Sequence, residues 1–253
     1  VNMTLPPFPD IHAIGFGTSQ SGRFLRTFLH YGFNADERGR KVFDGVWAHV
    51  AGAGRGSFNH RFAQPSRDGH PLSNTLYPTD LYPFHDLPAA DPVTGANQGL
   101  LDRARRANVA PKIFYTNGSY EYYGRAASLI HTSVDGKKDA PLPPDTRVYF
   151  LAGTQHGPDA RPARNGTANL ANPMDYRWHM RALMLAMQDW GMNAKEPPPS
   201  AYPQIGKDQL VAVEAMQLPS IPGVAKPTWI QQAFRADYGP DFATKGIVTK
   251  DPP

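Results

Sequence analysis

Apolar runs and stretches of three-and-four periodicity alternate along most of this chain. Ala13 to Phe16 is a short apolar run that meets a cluster of small residues, Gly17 to Gly22, and a helical pattern follows at once with Phe24, Leu25, Phe28 and Leu29 on one face. The pattern predicts a strand, a tight turn and a helix from about Gly22 to Tyr31, closed by Gly32. Lys41 to Val50, with Val42, Phe43, Val46, Trp47 and Val50 as apolar bulk, predicts a second strand that runs out into the Gly-rich Ala51–Gly56. A basic amphipathic helix is expected over Leu100–Asn108, a strand over Lys112–Thr116, a helix ending near His131, and a strand over Arg147–Leu151. The last regular element is a long helix from Pro173 to about Trp190. Asn172 fits its cap, Pro173 the first helical position and Asp175 the first turn, and Met180, Leu183, Met184, Met187 and Trp190 make its packing face.

Alternating strands and helices predict an α/β fold built on a layered, mainly parallel sheet. The regular pattern occupies residues 1–195 and is interrupted at about 57–99 by an irregular stretch rich in His, Pro, Asn and aromatics, which reads as a lid-like insertion. Residues 196–253 form a Pro-rich extension that wraps the domain or belongs to something beyond it. The elbow strand follows a short Pro-rich lead, so the sheet is expected to be incomplete on its N-terminal side, with its edge open to another chain.

Composition narrows the function classes. With 40% hydrophobic and 19% charged residues the chain is globular, and its 26 prolines and 23 glycines announce much loop. The net charge of +4 is spread along the chain with no basic helix face, which argues against nucleic acid. No apolar run is long enough to span a membrane, and the residues after Val1 do not read as a signal peptide. Without cysteine there are no disulfides and no thiolate-bound metals. His60, His70 and His85 with Asp68, Asp80 and Asp86 match no tight ligand spacing and read as loop-packing residues.

The candidate chemistry starts at Gly17-Thr18-Ser19-Gln20-Ser21, a GxSxS variant of the GxSxG nucleophile elbow. A serine pushed out on a sharp turn crowds its neighbours at minus two and plus two, which must be small. The same turn sets the Gln20 N–H at the mouth of a helix, where it can stabilise an oxyanion. A dinucleotide fingerprint lacks its third glycine here, and no Lys-Ser or Lys-Thr follows for a P-loop. A plain strand-to-helix turn with a capping serine would use the same five residues. Glu121 and His156 distinguish the readings: like Ser19, each falls just past the end of a predicted strand, and the chain order is Ser, acid, His. Ser19 would be the nucleophile, His156 the base and Glu121 the acid that orients it, with Asp159 as a rival acid. Such a site cleaves a small-molecule ester or amide and needs no cofactor or metal.

The runs Gly17–Arg26, Phe33–Asp36, Val42–Gly45, Asn59–Phe62 and Glu121–Ala126 resemble the α/β-hydrolase domain family, a bacterial group of serine esterases distantly similar to tannase and feruloyl esterase. The similarity spans roughly residues 11 to 225, as an internal segment of a longer member would. It implies a carboxylic-ester hydrolase with Ser19, Glu121 and His156 as its triad, and it implies frequent export to the periplasm or beyond.

Overall fold

The computed structural model describes residues 12–56, 58, 80–164, 166, 170–233 and 237–250. At its centre four strands, β1 (Ile14–Thr18), β2 (Gly45–His49), β5 (Lys112–Gly118) and β6 (Thr146–Leu151), form one sheet in the order β1-β2-β5-β6. Every pairing in it is parallel, with Thr18 beside His49 and His49 beside Thr116. All four carboxyl ends therefore open at one end of the sheet, and β1 is an edge strand among the described residues. A two-residue hairpin, β3 (Ala89–Ala90) with β4 (Asn97–Gln98), stands apart from it.

Strand side chains alternate between two faces, and each face has its own helix. Val46, Ala48, Ile113, Tyr115 and Val148 point toward α1 (Gln20–His30) and bury Leu25 and Leu29. Trp47, Phe114 and Tyr149 point the other way and receive Leu183, Met187 and Trp190 of α4 (Arg177–Asn193). Burying each such side chain is worth roughly 1.5–3 kcal/mol. Of the predicted α4 stripe, Met184 remains exposed. The α1 face is also tied by charge: the fully buried Arg26 donates through Nη2 to Ala53 O (2.8 Å) and Phe84 O (2.7 Å), over the Tyr115 ring.

Several boundaries differ from the sequence reading, and in each case a side chain or a diverted carbonyl competes for the backbone. The second strand begins at Gly45 rather than Lys41. Asn34 clamps the preceding residues, its Oδ1 accepting the Phe43 N–H (2.8 Å) and its Nδ2 donating to Phe43 O (3.0 Å) and Val109 O (2.6 Å). The predicted helix up to His131 breaks into α3 (Ser119–Gly124) and a 3-10 turn over Ala127–Ile130. The carbonyl of Arg125 turns to the Ala53 N–H, and Ala126 adopts φ +46°. The basic helix shortens to α2, Asp102–Arg106. The long helix starts at Arg177, four residues after the expected Pro173, and Asn172 does not cap it.

Residues 59–79, most of the first half of the predicted insertion, lie outside the described residues. Its second half is stitched to the sheet: Phe84 is buried in the α1-side core, and Asp86 accepts the Tyr115 hydroxyl (2.7 Å) and the Thr146 hydroxyl (2.6 Å). The Pro-rich extension wraps the domain. Ala201 runs beside β6, accepting the Phe150 N–H (2.8 Å) and donating to Val148 O (2.9 Å), and Gln231 N–H reaches Tyr123 O (2.7 Å). A short helix, α5 (Phe242–Lys245), lies near its end.

Candidate active site

Ser19 occupies the turn between β1 and α1 with φ +57° and ψ −117°, a conformation a non-glycine residue holds only when its surroundings impose it. Those surroundings are visible. The Ser19 N–H donates to His49 O (2.8 Å), and its carbonyl already accepts the Arg23 N–H of α1 (3.0 Å). A Cβ on Gly17 would lie 2.5 Å from the backbone oxygen of Ser21, and one on Gly22 would lie 2.9 Å from Ala51 Cβ. The crowding thus falls on positions minus two and plus three. Ser21 contributes its backbone to it and leaves its side chain exposed, so a serine is accommodated there. Gln20 opens α1, and its N–H has no acceptor within the helix.

Glu121 and His156 arrive from the ends of β5 and β6. Asn117 and Gly118 continue β5 past the expected end at Thr116, and α3 starts at once. Glu121 in its first turn is fully buried, with Oε2 accepting the Gly118 N–H (2.7 Å). Gly118 is needed there, because a Cβ would collide with Thr154 Oγ1. The other carboxylate oxygen, Oε1, faces His156 Nδ1 at 2.6 Å, and His156 Nε2 lies 3.0 Å from Ser19 Oγ. The structure thus brings Ser19, His156 and Glu121 into one hydrogen-bonded line, across 137 residues of sequence between the serine and the histidine. Asp159, the rival acid, turns away and accepts the Arg161 N–H (2.8 Å).

The segment expected to open α4 serves this loop instead. Asn172 donates through Nδ2 to Gly153 O, its N–H reaches Gln155 Oε1 (3.1 Å), and Tyr176 donates its hydroxyl to His156 O (2.8 Å). Residues 172–176 therefore hold the His156 loop from one side. Tyr120 of α3 lays its ring against the imidazole from another, at 5.2 Å between centroids.

His49 is part of the site and was missed in the sequence reading. It ends β2 in register between Thr18 and Thr116, its carbonyl holds the elbow, and its ring packs on Phe16 and Tyr176. Trp47 Nε1–H can only donate, and it donates to Thr116 Oγ1 at 2.8 Å; the Thr116 hydroxyl then has its proton for His49 Nδ1, also at 2.8 Å. This relay favours a neutral His49 protonated on Nε2. Burial, followed by the proximity of His156, lowers its pKa to about 4. The cue in the sequence was a histidine at the carboxyl end of the strand beside the elbow strand.

The Gly-rich Ala51–Gly56 is buried and bonds inward, Gly52 N–H to Asn117 Oδ1 (3.0 Å), and so is filled by the protein itself. Of the histidine and aspartate group considered for metal binding, His60, His70 and Asp68 lie outside the described residues. His85 Nε2 bonds to Thr132 O, and among the described residues no group of three His, Asp or Glu side chains could hold a metal ion. No helix among them is long and apolar enough to cross a membrane.

A parallel sheet flanked by helices, with a strained serine turn after one strand and a buried acid and a histidine after two others, defines a hydrolase-like α/β protein. The chain belongs to the alpha/beta hydrolase domain family, whose model matches residues 4–219. No curated protein and no solved structure matches it.

Proposed function

We propose that this protein is a serine hydrolase that cleaves carboxylic esters through an acyl-enzyme on Ser19. The observation that carries the reading is the unbroken line from Ser19 Oγ through His156 to Glu121, at 3.0 and 2.6 Å, starting from a serine held at positive φ. A capping serine in a plain turn needs neither the strain nor the imidazole.

In the first step His156 Nε2 takes the Ser19 hydroxyl proton as Oγ bonds to the ester carbonyl carbon. The carbonyl oxygen becomes an oxyanion within reach of the Gln20 N–H. Collapse expels the alcohol, which leaves with the proton from His156, and the acyl group stays on Ser19. Water then repeats the sequence: His156 takes its proton, the hydroxyl oxygen bonds to the acyl carbon, and the acid departs as Ser19 recovers its proton. Glu121 remains a carboxylate throughout, fixing Nδ1–H and stabilising the imidazolium. The aromatic surface beside the line, with Tyr120 and Phe16 each about half exposed, favours a bulky or aromatic acyl group.

The test is turnover of a short p-nitrophenyl ester, with labelling by a fluorophosphonate probe, in the wild type and Ser19→Ala. The proposal requires both in the wild type and neither in the variant. A folded wild-type chain that neither labels nor turns over would instead be a binding or assembly module on this fold. Faster turnover of a matched anilide than of the ester would make it an amidase.

A further inference from the structure

A second cavity lies on the far side of α3 from the serine. It has a volume of about 650 Å³, within the roughly 300–1,000 Å³ range of small-molecule sites. Helix α3 separates the two: Glu121 faces His156, whereas Tyr122 and Tyr123 line the cavity. Phe150 of β6 forms another wall, and Ile205, Leu210 and Met216 of the C-terminal extension close it. That last wall is fixed in place, because both oxygens of Asp139 accept backbone N–H groups, from Ile205 and Gly206, at 2.9 Å each.

One polar group in this apolar lining is unaccounted for. The Thr132 hydroxyl lines the cavity, its residue is 1% exposed, and Oγ1 has no hydrogen-bond partner. Leaving a buried hydroxyl unsatisfied costs about 1–3 kcal/mol, so native structures rarely do it without a ligand or water to complete the bond. Neighbouring groups cannot serve it: the Tyr122 hydroxyl is bonded to His131 Nε2 at 2.8 Å, and Ser119 Oγ accepts the Gly153 N–H at 2.9 Å. The lining contains no Lys or Arg, and its single carboxylate, Asp208, is exposed. An anion therefore finds no counter-charge there, and the buried part of the cavity is neutral.

We propose that this cavity is a binding site for a neutral, mainly apolar small molecule whose one hydrogen-bonding group meets the Thr132 hydroxyl. It is a site separate from Ser19 and does not depend on the esterase reading. Because Tyr122 adjoins Glu121 on α3, an occupant would pack against the helix that carries the acid.

The experiment titrates the full chain with N-phenyl-1-naphthylamine, a neutral fluorophore that brightens in apolar surroundings and carries one N–H for the threonine oxygen. Saturable brightening at one equivalent is expected. Thr132→Val should weaken binding about 5- to 10-fold, the loss of one buried hydrogen bond, and Ser128→Trp, which fills the cavity, should abolish it with the circular dichroism spectrum unchanged. Tyr120→Arg, at the mouth of the Ser19 site, should leave the titration as it was. No saturable binding in the wild type would mean that Thr132 meets water only, and the proposal fails. It fails equally if Thr132→Val binds as the wild type does, or if Tyr120→Arg loses the dye, which would place the fluorophore at the serine.

Discussion

Replacing Glu121 by glutamine tests the hydrogen-bonded line at its least accessible point. The carboxylate accepts two bonds in a fully buried position, one from Gly118 N–H at 2.7 Å and one from His156 Nδ1 at 2.6 Å. An amide offers one acceptor and one donor side, so Glu121→Gln can satisfy only one of them. If its NH2 group faces Gly118, two donors confront each other in the interior, and the fold loses about 1–3 kcal/mol. If the NH2 group faces His156 instead, the imidazole must carry its proton on Nε2, where it cannot accept from Ser19. The second orientation keeps the backbone bonded, so the expected outcome is a folded protein with kcat lowered by about 10³- to 10⁴-fold. Ester turnover and urea unfolding on the same preparation separate the two cases. A variant that keeps more than a tenth of the wild-type kcat and an unchanged unfolding midpoint would refute the assignment of Glu121 and the proton accounting built on it.

Two other predictions concern the framework. Burial lowers the pKa of His131 to about 4, as it does that of His49, from an ordinary value near 6.5. Their folded forms are therefore neutral, and stability is complete above pH 6.5 and lost as the pH falls toward 4. Each should cost about 2 kcal/mol between pH 8 and pH 5. His49→Gln and His131→Gln should each flatten the pH dependence of the urea midpoint by that amount, and a wild-type midpoint that stays constant from pH 8 to 5 would contradict it. At the elbow, Gly17→Val should destabilise by at least 2 kcal/mol and abolish fluorophosphonate labelling, because its Cβ would meet backbone rather than a movable side chain; a thermal melt and a labelling gel check both.

How far the sequence could be read depended on the range of the interaction. The strand, turn and helix around Ser19 are local events, marked by small residues and an apolar face, and the positions of Glu121 and His156 past strand ends followed from the same local patterns. Boundaries failed where one side chain out-competed a periodic pattern. Asn34 holds the chain before β2, and Asn172, which fits a cap perfectly well by residue type, bonds to the His156 loop instead. His49 was overlooked because its role arises from register: only when β1, β2 and β5 lie side by side do Thr18, His49 and Thr116 align. Nothing in the residues flanking His49 encodes that alignment.

The strand that carries Ser19 is the edge of the described sheet. Ala13 O and Ser19 N–H bond toward β2, so strand alternation turns the N–H and C=O groups of Ile14 and Phe16 outward, beside a half-exposed Phe16 ring. A polypeptide adding there in parallel would finish its own carboxyl end next to the serine, on the side opposite Gln20. Its following loop could present a second N–H to the same oxyanion. Docking at this edge and completing the reaction centre would then be one event, and the rate of ester cleavage would serve as a direct readout of assembly.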